Sequence, residues 1–298
     1  MMNVSLHMMS DSPPAAPEQS GAVLVDSHGR TIKDLRLSVT DRCNFRCIYC
    51  MEPDVKYLPK MDLLSLEDYV RVVQVAMSLG IDKLRITGGE PTLYPHLDAF
   101  IEMVGSLGLR DVALTTNGSR LTKEMCDRWK QMGLNRITVS LDTLRPERKD
   151  AITRSFTPLD TVIRAINMAR DAGLTPVKVN AVVMRGVNDD ELQEFADFAI
   201  EHDVDMRLIE FMALDAGRNW SMDSVVPAKE MLEVISRKHT LVKEDDSASS
   251  TSMNYKFSDG TSVGGRIGFI ASVTNSFCLG CDRIRMMADG TVRPCLFS

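Results

Sequence analysis

The sequence predicts an α/β fold: a partial (β/α)6 TIM-like barrel followed by a small α+β C-terminal extension. Two observations carry this. Between residues 32 and 211, short strand-like runs alternate six times with stretches of helical apolar periodicity, a pattern that builds a parallel sheet wound by right-handed crossovers. Several strands also run out into residues with more chemistry than a turn needs, and parallel α/β sheets collect their chemistry at strand carboxyl ends.

Residues 32–40 alternate polar and apolar side chains and read as the first strand. Ser65 reads as an N-cap, with Asp68 in place of the Glu of a capping box, and Leu66, Val70, Val73, Ala76 and Met77 carry a helix to Gly80. Strands follow at 83–87, 111–115, 136–141, 177–184 and 205–211, and helices at 97–107, 122–132, 159–172 and 190–202, the last capped by Asn188 or Asp189. Beyond Phe211 the pattern changes. Residues 213–226 are loop-like, 227–238 form a helix with Pro227 in its first turn, and 245–252 are polar, low in complexity and expected to be mobile. Asp259-Gly260 and Asp289-Gly290 read as hairpin turns. The expected division is a disordered leader at 1–21, a barrel at 22–212 and an extension at 213–298.

Hydrophobic content of 44% and charged content of 26% are those of an ordinary globule, and a net charge of −6 gives no general attraction for nucleic acid or a membrane surface. No apolar run approaches the ~18–20 residues of a membrane span. Residues 1–21, rich in Ser, Pro, Ala and Met, lack the apolar core of a secretory signal. Seven cysteines without such a signal point to metal or redox chemistry in a reducing compartment, so the cytoplasm is expected.

Three of those cysteines, Cys43, Cys47 and Cys50, are spaced C-x3-C-x2-C on the loop after the first strand. A 4Fe–4S cube held by four cysteines is coordinatively closed, whereas three leave one iron open for a ligand. Structural zinc wants four ligands, and no fourth Cys or His lies near Cys50. The second strand ends in Thr87-Gly-Gly-Glu-Pro91, where the glycines either admit a ligand to the backbone or supply a positive φ. The third ends in Thr115-Thr-Asn-Gly118, the fourth in Val139-Ser-Leu-Asp142 and the sixth in Ile209-Glu-Phe-Met212.

Cys278, Cys281 and Cys295 form a second triplet, C-x2-C-x13-C, compatible with an open cluster, a closed accessory cluster or a zinc knuckle. Between them Arg283 and Arg285 fall on one face of an extended segment and suit a polyphosphate; Gly264-Gly-Arg266 lies upstream. Arg36 and Lys178 sit within strand-like runs, where an inward charge is costly unless it meets an anion; for Lys178 an outward position is equally compatible. Cys126 lies in a helix, matches no motif and reads as packing.

The first cysteine motif, with Tyr49 before its last cysteine, and Gly88-Gly-Glu-Pro91 together resemble the radical S-adenosylmethionine superfamily. Leu35-Arg-Leu-Ser-Val-Thr-Asp-Arg-Cys-Asn-Phe-Arg-Cys-Ile-Tyr-Cys50, Leu84-Arg-Ile-Thr-Gly-Gly-Glu-Pro-Thr92, Thr115-Thr-Asn-Gly118, Val177-Lys-Val-Asn180 and Asn275-Ser-Phe-Cys-Leu-Gly-Cys-Asp-Arg-Ile-Arg285 narrow the resemblance to the GTP 3′,8-cyclase family of molybdenum cofactor biosynthesis, from about Val23 onwards. The resemblance implies two 4Fe–4S clusters, one at Cys43, Cys47 and Cys50, the other at Cys278, Cys281 and Cys295. It places S-adenosylmethionine against Tyr49, Gly89, Ser140 and Met212, and GTP against Arg36, Arg85, Thr116, Lys178, Arg283 and Arg285. The implied activity is that of a lyase forming 3′,8-cyclo-7,8-dihydroguanosine 5′-triphosphate through a 5′-deoxyadenosyl radical. A homodimer, an electron donor such as flavodoxin or ferredoxin, and delivery of product to cyclic pyranopterin monophosphate synthase are implied with it; nucleic acid and membrane are not. Another two-cluster radical enzyme, such as a peptide maturase, is opposed by the single C-terminal triplet and its Arg-x-Arg pair. A non-enzymatic zinc-binding protein is the remaining alternative. The sequence stops three residues after Cys295, whereas family members continue to a Gly-Gly tail, and low cyclase activity is expected on that ground.

Overall fold

Strand after strand, the sequence sets apolar residues on one face and charge or hydroxyls on the other. In the computed structural model, which describes residues 21–214, 220–245, 249–258 and 264–297, this alternation becomes the wall of an open barrel. Strands β1 (Asp34–Ser38), β2 (Lys83–Thr87), β3 (Asp111–Thr116), β4 (Arg136–Ser140), β5 (Lys178–Val183) and β6 (Asp205–Glu210) pair in parallel and in sequence order. Helices α1 (Leu66–Ser78), α2 (Leu97–Gly105), α3 (Lys123–Gln131), α4 (Pro146–Thr153), α5 (Leu159–Asp171) and α6 (Leu192–His202) lie in the crossovers, and α7 (Ala228–Ser236) follows β6.

The core lies between sheet and helices. Leu35, Leu37, Leu84, Ile86, Leu114, Ile137, Val179 and Leu208 turn outward from their strands and are buried with Tyr69, Phe100, Trp129 and Phe195 from the helices. Burying each such side chain is worth about 1.5–3 kcal/mol. The intervening positions carry Asp34, Arg36, Lys83, Arg85, Arg136, Lys178 and Arg207, which line the lumen. A one-residue slip of any strand would exchange the two sets, so the register is strongly fixed.

The C-terminal third adds strands to both edges of this sheet. β7 (Leu241–Lys243), β8 (Met253–Phe257) and β9 (Arg266–Ile270) form an antiparallel unit, and β9 docks parallel on β6. β10 (Arg283–Met286) docks parallel on β1 and turns back through Asp289-Gly290 into β11 (Val292–Arg293), with Gly290 at φ +84°. The resulting order is β11-β10-β1-β2-β3-β4-β5-β6-β9-β8-β7. No helix among the described residues is long and apolar enough to cross a membrane.

Local expectations divide. The Ser65 hydroxyl accepts from Asp68 N while the Asp68 carboxylate accepts from Ser65 N, the expected capping box. Asn188 does not cap α6. Its amide donates to the Asp142 and Val182 carbonyls and its Oδ1 accepts from Met184 N, so it spans the ends of β4 and β5. α4 was not expected, because its buried residues Lys149, Ile152 and Thr153 form no apolar stripe; Pro146 at its first turn was the available signal. Cys126 is fully buried in the core. The Asp259-Gly260 turn, nearly all of the leader and residues 246–248 lie outside the described residues.

Candidate active site

The loop after β1 brings Cys43, Cys47 and Cys50 to a cavity of about 220 Å³ at the carboxyl ends of the strands. Tyr49, Gly89, Ser140 and Asp142 line it with them. The loop is held from two sides. Arg46 N and Ile48 N donate to the carbonyls of Thr153 and Ile152 at the end of α4, at 2.9 and 3.0 Å, and the buried Lys149 ammonium sits over the Phe45 ring. Opposite, Gly89 N donates to Thr40 O and Glu90 N to Arg42 O, both at 2.7 Å. This approach explains the two glycines. Neither has a positive φ, but a Cβ on Gly88 would lie 2.6 Å from the Thr40 carbonyl oxygen and one on Gly89 would collide with that of Arg42.

Burial, then Asp142 and the other two thiols, push the Cys47 thiol far above its ordinary range; Cys43 and Cys50 are raised chiefly by burial. A cation beside these thiols would favour their thiolate forms. Among the described residues no three His, Cys, Asp or Glu side chains converge on one ion-sized point. The three thiols line the cavity. Asp142 anchors the aromatic of the motif: Oδ2 accepts from the Tyr49 hydroxyl at 2.8 Å and Oδ1 from Val182 N at 2.9 Å. Burial pushes its carboxyl up to about 6.

Buried glutamates knit the strand ends together. Glu90 accepts from Thr92 N, Thr92 Oγ1 and Thr116 Oγ1 through one oxygen and from Asn117 N through the other. Glu210, at the end of β6, accepts from Ala228 N, Val273 N and Thr274 N. Glu90→Ala strands four donors, so we expect a loss of about 3–5 kcal/mol in denaturant unfolding, with Glu90→Gln costing less. An unchanged midpoint for the alanine variant would refute this account of the motif.

The second thiol set, Cys278, Cys281 and Cys295, opens on a neighbouring cavity of about 250 Å³ lined by Arg36, Arg85, Arg283 and Arg285. Thr115 belongs to both walls, so the two thiol sets face adjoining spaces. Arg285, Arg36 and Arg85 are register partners on β10, β1 and β2 and form one row. Lys178 lies in the contiguous charged cavity towards the opposite end of the barrel, beside Arg136 and Arg207. Met212 lines the arginine cavity rather than that of the first triplet, and the Thr116 hydroxyl is committed to Glu90 at 2.6 Å.

Charge balance separates these cations. Arg283 pairs with Asp34 at 3.3 Å, Lys83 with Asp282 at 3.6 Å, Arg136 with Asp111 and Arg266 with Asp205 at 3.6 Å. Among the described residues no carboxylate pairs with Arg36, Arg85, Lys178 or Arg285, and the buried Nε atoms of Arg36 and Arg85 have no partner. Burial and neighbouring cations depress all four, Arg85 to about 10 and Lys178 to about 7. Such a lumen is built for an anion.

The sign for Lys178 follows. Between pH 7 and its ordinary 10.5 the folded chain binds fewer protons than the unfolded one, so this group makes stability rise with pH in that window. Lys178→Met should therefore stabilise the nucleotide-free protein by on the order of 2–4 kcal/mol at pH 6, with the gain fading towards pH 10. Unfolding of both proteins across that range measures it; a destabilised variant at pH 6 would contradict it.

Sequence reasoning missed Arg207 and the open position of Asn180, which lines the lumen and whose buried Oδ1 has no partner among the described residues. Both lie on the same alternation that singled out Arg36, and they are register partners on β5 and β6.

The Radical SAM superfamily matches residues 37–199 and Molybdenum Cofactor Synthesis C matches residues 204–298. A GTP 3′,8-cyclase of Streptomyces coelicolor is 44% identical over 289 residues, covering 95% of this chain and 83% of that protein. The chain belongs to the GTP 3′,8-cyclase family. Another member, from Aquifex aeolicus, is 40% identical over 93% of this chain and 85% of its own length. Among solved structures, Streptococcus suis SuiB bound to S-adenosylmethionine superposes with a TM-score of 0.67 at 16% identity, over 90% of this chain and 62% of that one, a likeness of fold. Family membership makes S-adenosylmethionine and an iron–sulfur cluster the cofactors of this cyclase-family chain.

Proposed function

We propose that this chain converts GTP to 3′,8-cyclo-7,8-dihydroguanosine 5′-triphosphate, the first step of molybdenum cofactor biosynthesis. The observation that carries the assignment is a set of lumen cations without counter-ions among the described residues: the row Arg285–Arg36–Arg85 beside a second set of three thiols, and Lys178 in the contiguous cavity. A triphosphate supplies the missing negative charge, and Arg binds it bidentately.

In this proposal Cys43, Cys47 and Cys50 hold one 4Fe–4S cluster, and Cys278, Cys281 and Cys295 hold a second. Held there, the first cluster would supply one-electron reducing power to S-adenosylmethionine, the chemistry that begins hydrogen abstraction from the ribose 3′ position of GTP. The protein's own residues do the rest. Tyr49, fixed by Asp142, together with Gly89, Ser140 and Met212, grips S-adenosylmethionine. Arg36, Arg85, Lys178, Arg283 and Arg285 grip GTP, and Thr116 acts through Glu90 on the cavity wall. The enclosed strand ends keep water from a reactive intermediate. Residues 22–212 would carry radical generation and 213–298 the nucleotide end. The chain would act as a homodimer in the cytoplasm, draw electrons from a flavodoxin- or ferredoxin-type donor and pass its product to cyclic pyranopterin monophosphate synthase.

Anaerobic incubation of reconstituted protein with S-adenosylmethionine, reductant and GTP tests this directly. Formation of 5′-deoxyadenosine with transfer of deuterium from the ribose 3′ position is the expected result. Deoxyadenosine formed without that transfer would defeat the cyclase assignment.

A further inference from the structure

On the proposed reading of Cys278, Cys281 and Cys295 as a second cluster site, the turn carrying the first two ligands is thinly supported from within. Cys278 and Leu279 are exposed. Its internal backbone bonds run from Gly280 N to Phe277 O and from Cys281 N to Cys278 O, both at 3.2 Å. Cys278 N adds a long 3.4 Å contact to the Ser276 hydroxyl.

A side chain nearly 250 residues away reaches this turn. Arg30 Nη1 donates to the Cys278 carbonyl. Its Nε donates to Asp26 Oδ2 at 2.7 Å, and Nη2 closes the ion pair with the same carboxylate at 2.5 Å. Asp26 is itself fixed, because Oδ1 accepts from His28 N and Arg30 N at 2.9 and 3.0 Å. The short loop holding both residues is pinned to the barrel by the Val25–Thr31 bridge and by Leu24 N donating to Leu79 O. Arg30 thus has three of its five N–H groups engaged on a preorganised mount, and it lines the cavity that holds the three thiols, Arg283 and Arg285. The guanidinium joins the 26–30 loop to the 277–281 turn across this rim.

We infer that Arg30, aimed by Asp26, is a positioning residue that clamps the Cys278–Cys281 turn at the lumen mouth and sets a positive charge beside its thiolates. The clamp fixes two of the three ligands relative to the arginine row, and so fixes the distance between the second cluster and the nucleotide phosphates. Its charge favours the reduced, more negative form of a cluster held there.

The test uses the full chain, reconstituted anaerobically, as wild type, Arg30→Met, Arg30→Lys and Asp26→Asn. Iron and sulfide per chain, the midpoint potential of the second cluster and equilibrium affinity for GTP are measured. Wild type should hold about eight irons. Arg30→Met should fall towards about four, lower the potential of the second clusters that remain and weaken GTP binding about tenfold. Deoxyadenosine formation without GTP should stay at the wild-type rate. Arg30→Lys should restore the potential without restoring full iron retention, because one ammonium cannot span Asp26 and Cys278 together. Asp26→Asn should fall between the two although it touches neither metal nor nucleotide. Wild-type iron, potential and GTP affinity in Arg30→Met would overturn the inference alone. A wild-type protein holding about four irons, unchanged by Cys281→Ala, would instead remove the two-cluster reading on which it rests.

Discussion

Cys47→Ala is expected to abolish 5′-deoxyadenosine formation and to lower the iron content by about half, to about four atoms per chain. Cys47 is the central member of its triplet. Its carbonyl accepts from Cys50 N at 2.9 Å and Met51 N at 3.1 Å, so it also shapes the turn that presents Cys50. Burial, then Asp142 and the other two thiols, disfavours its bare thiolate. Two thiols remain after the substitution, too few to hold a cube with one open iron. Cys126→Ala is the matched control: it removes a thiol from the core and should cost stability, not iron. Iron and sulfide analysis with anaerobic turnover measures both. Deoxyadenosine formation by Cys47→Ala at a substantial fraction of the wild-type rate would sink the assignment of the first triplet.

The second large effect is expected on substrate affinity. Arg36→Ala should weaken GTP binding about 10- to 100-fold, the range for losing a charge-assisted contact, and leave GTP-independent cleavage of S-adenosylmethionine intact. Arg36 is the middle of the Arg285–Arg36–Arg85 row and has no acidic partner among the described residues. Removing it also relieves repulsion within the row, so the nucleotide-free variant should be no less stable than wild type. Arg136→Ala provides the contrast. Its guanidinium is neutralised by Asp111, so its loss should unfold the barrel more readily and affect affinity less. Calorimetric titration with GTP and thermal unfolding separate the two. Equal effects of both substitutions on affinity would show that charge balance does not select the phosphate contacts.

Much of this was legible in the sequence because one alternation encodes both the wall and its contents. Leu35, Leu37, Leu84 and Ile86 announce the packed face, and Arg36 and Arg85, one residue out of phase, announce the lumen. Cysteine spacing was equally readable, since ligands on one loop must lie close in sequence. What stayed hidden depends on contacts between distant segments. The two glycines after β2 gave no hint that their neighbour would be the Thr40–Arg42 backbone. Thr116 carries a strand-end hydroxyl, but its commitment to Glu90 appears only once β2 and β3 are side by side. α4 escaped notice because it serves as a support for the cysteine loop and buries a lysine instead of an apolar stripe.

The placement of β10 against β1 has a consequence for how the chain is made. β1 emerges from the ribosome early, yet its outer partner lies some 250 residues later, and β9 reaches β6 only after the β7–β8 unit. Until β9 and β10 have been made, β6 and β1 present unpaired N–H and C=O groups, the condition that invites strand addition between nascent chains. The first cysteine loop is complete long before then, because its supports, α4 and the Gly-Gly turn, are encoded by residue 153. The first thiol set can thus be assembled before β9 and β10 dock, whereas the second requires residues up to Cys295. The margins of β1 and β6 are therefore where a partly made chain is most open to pairing with a neighbour.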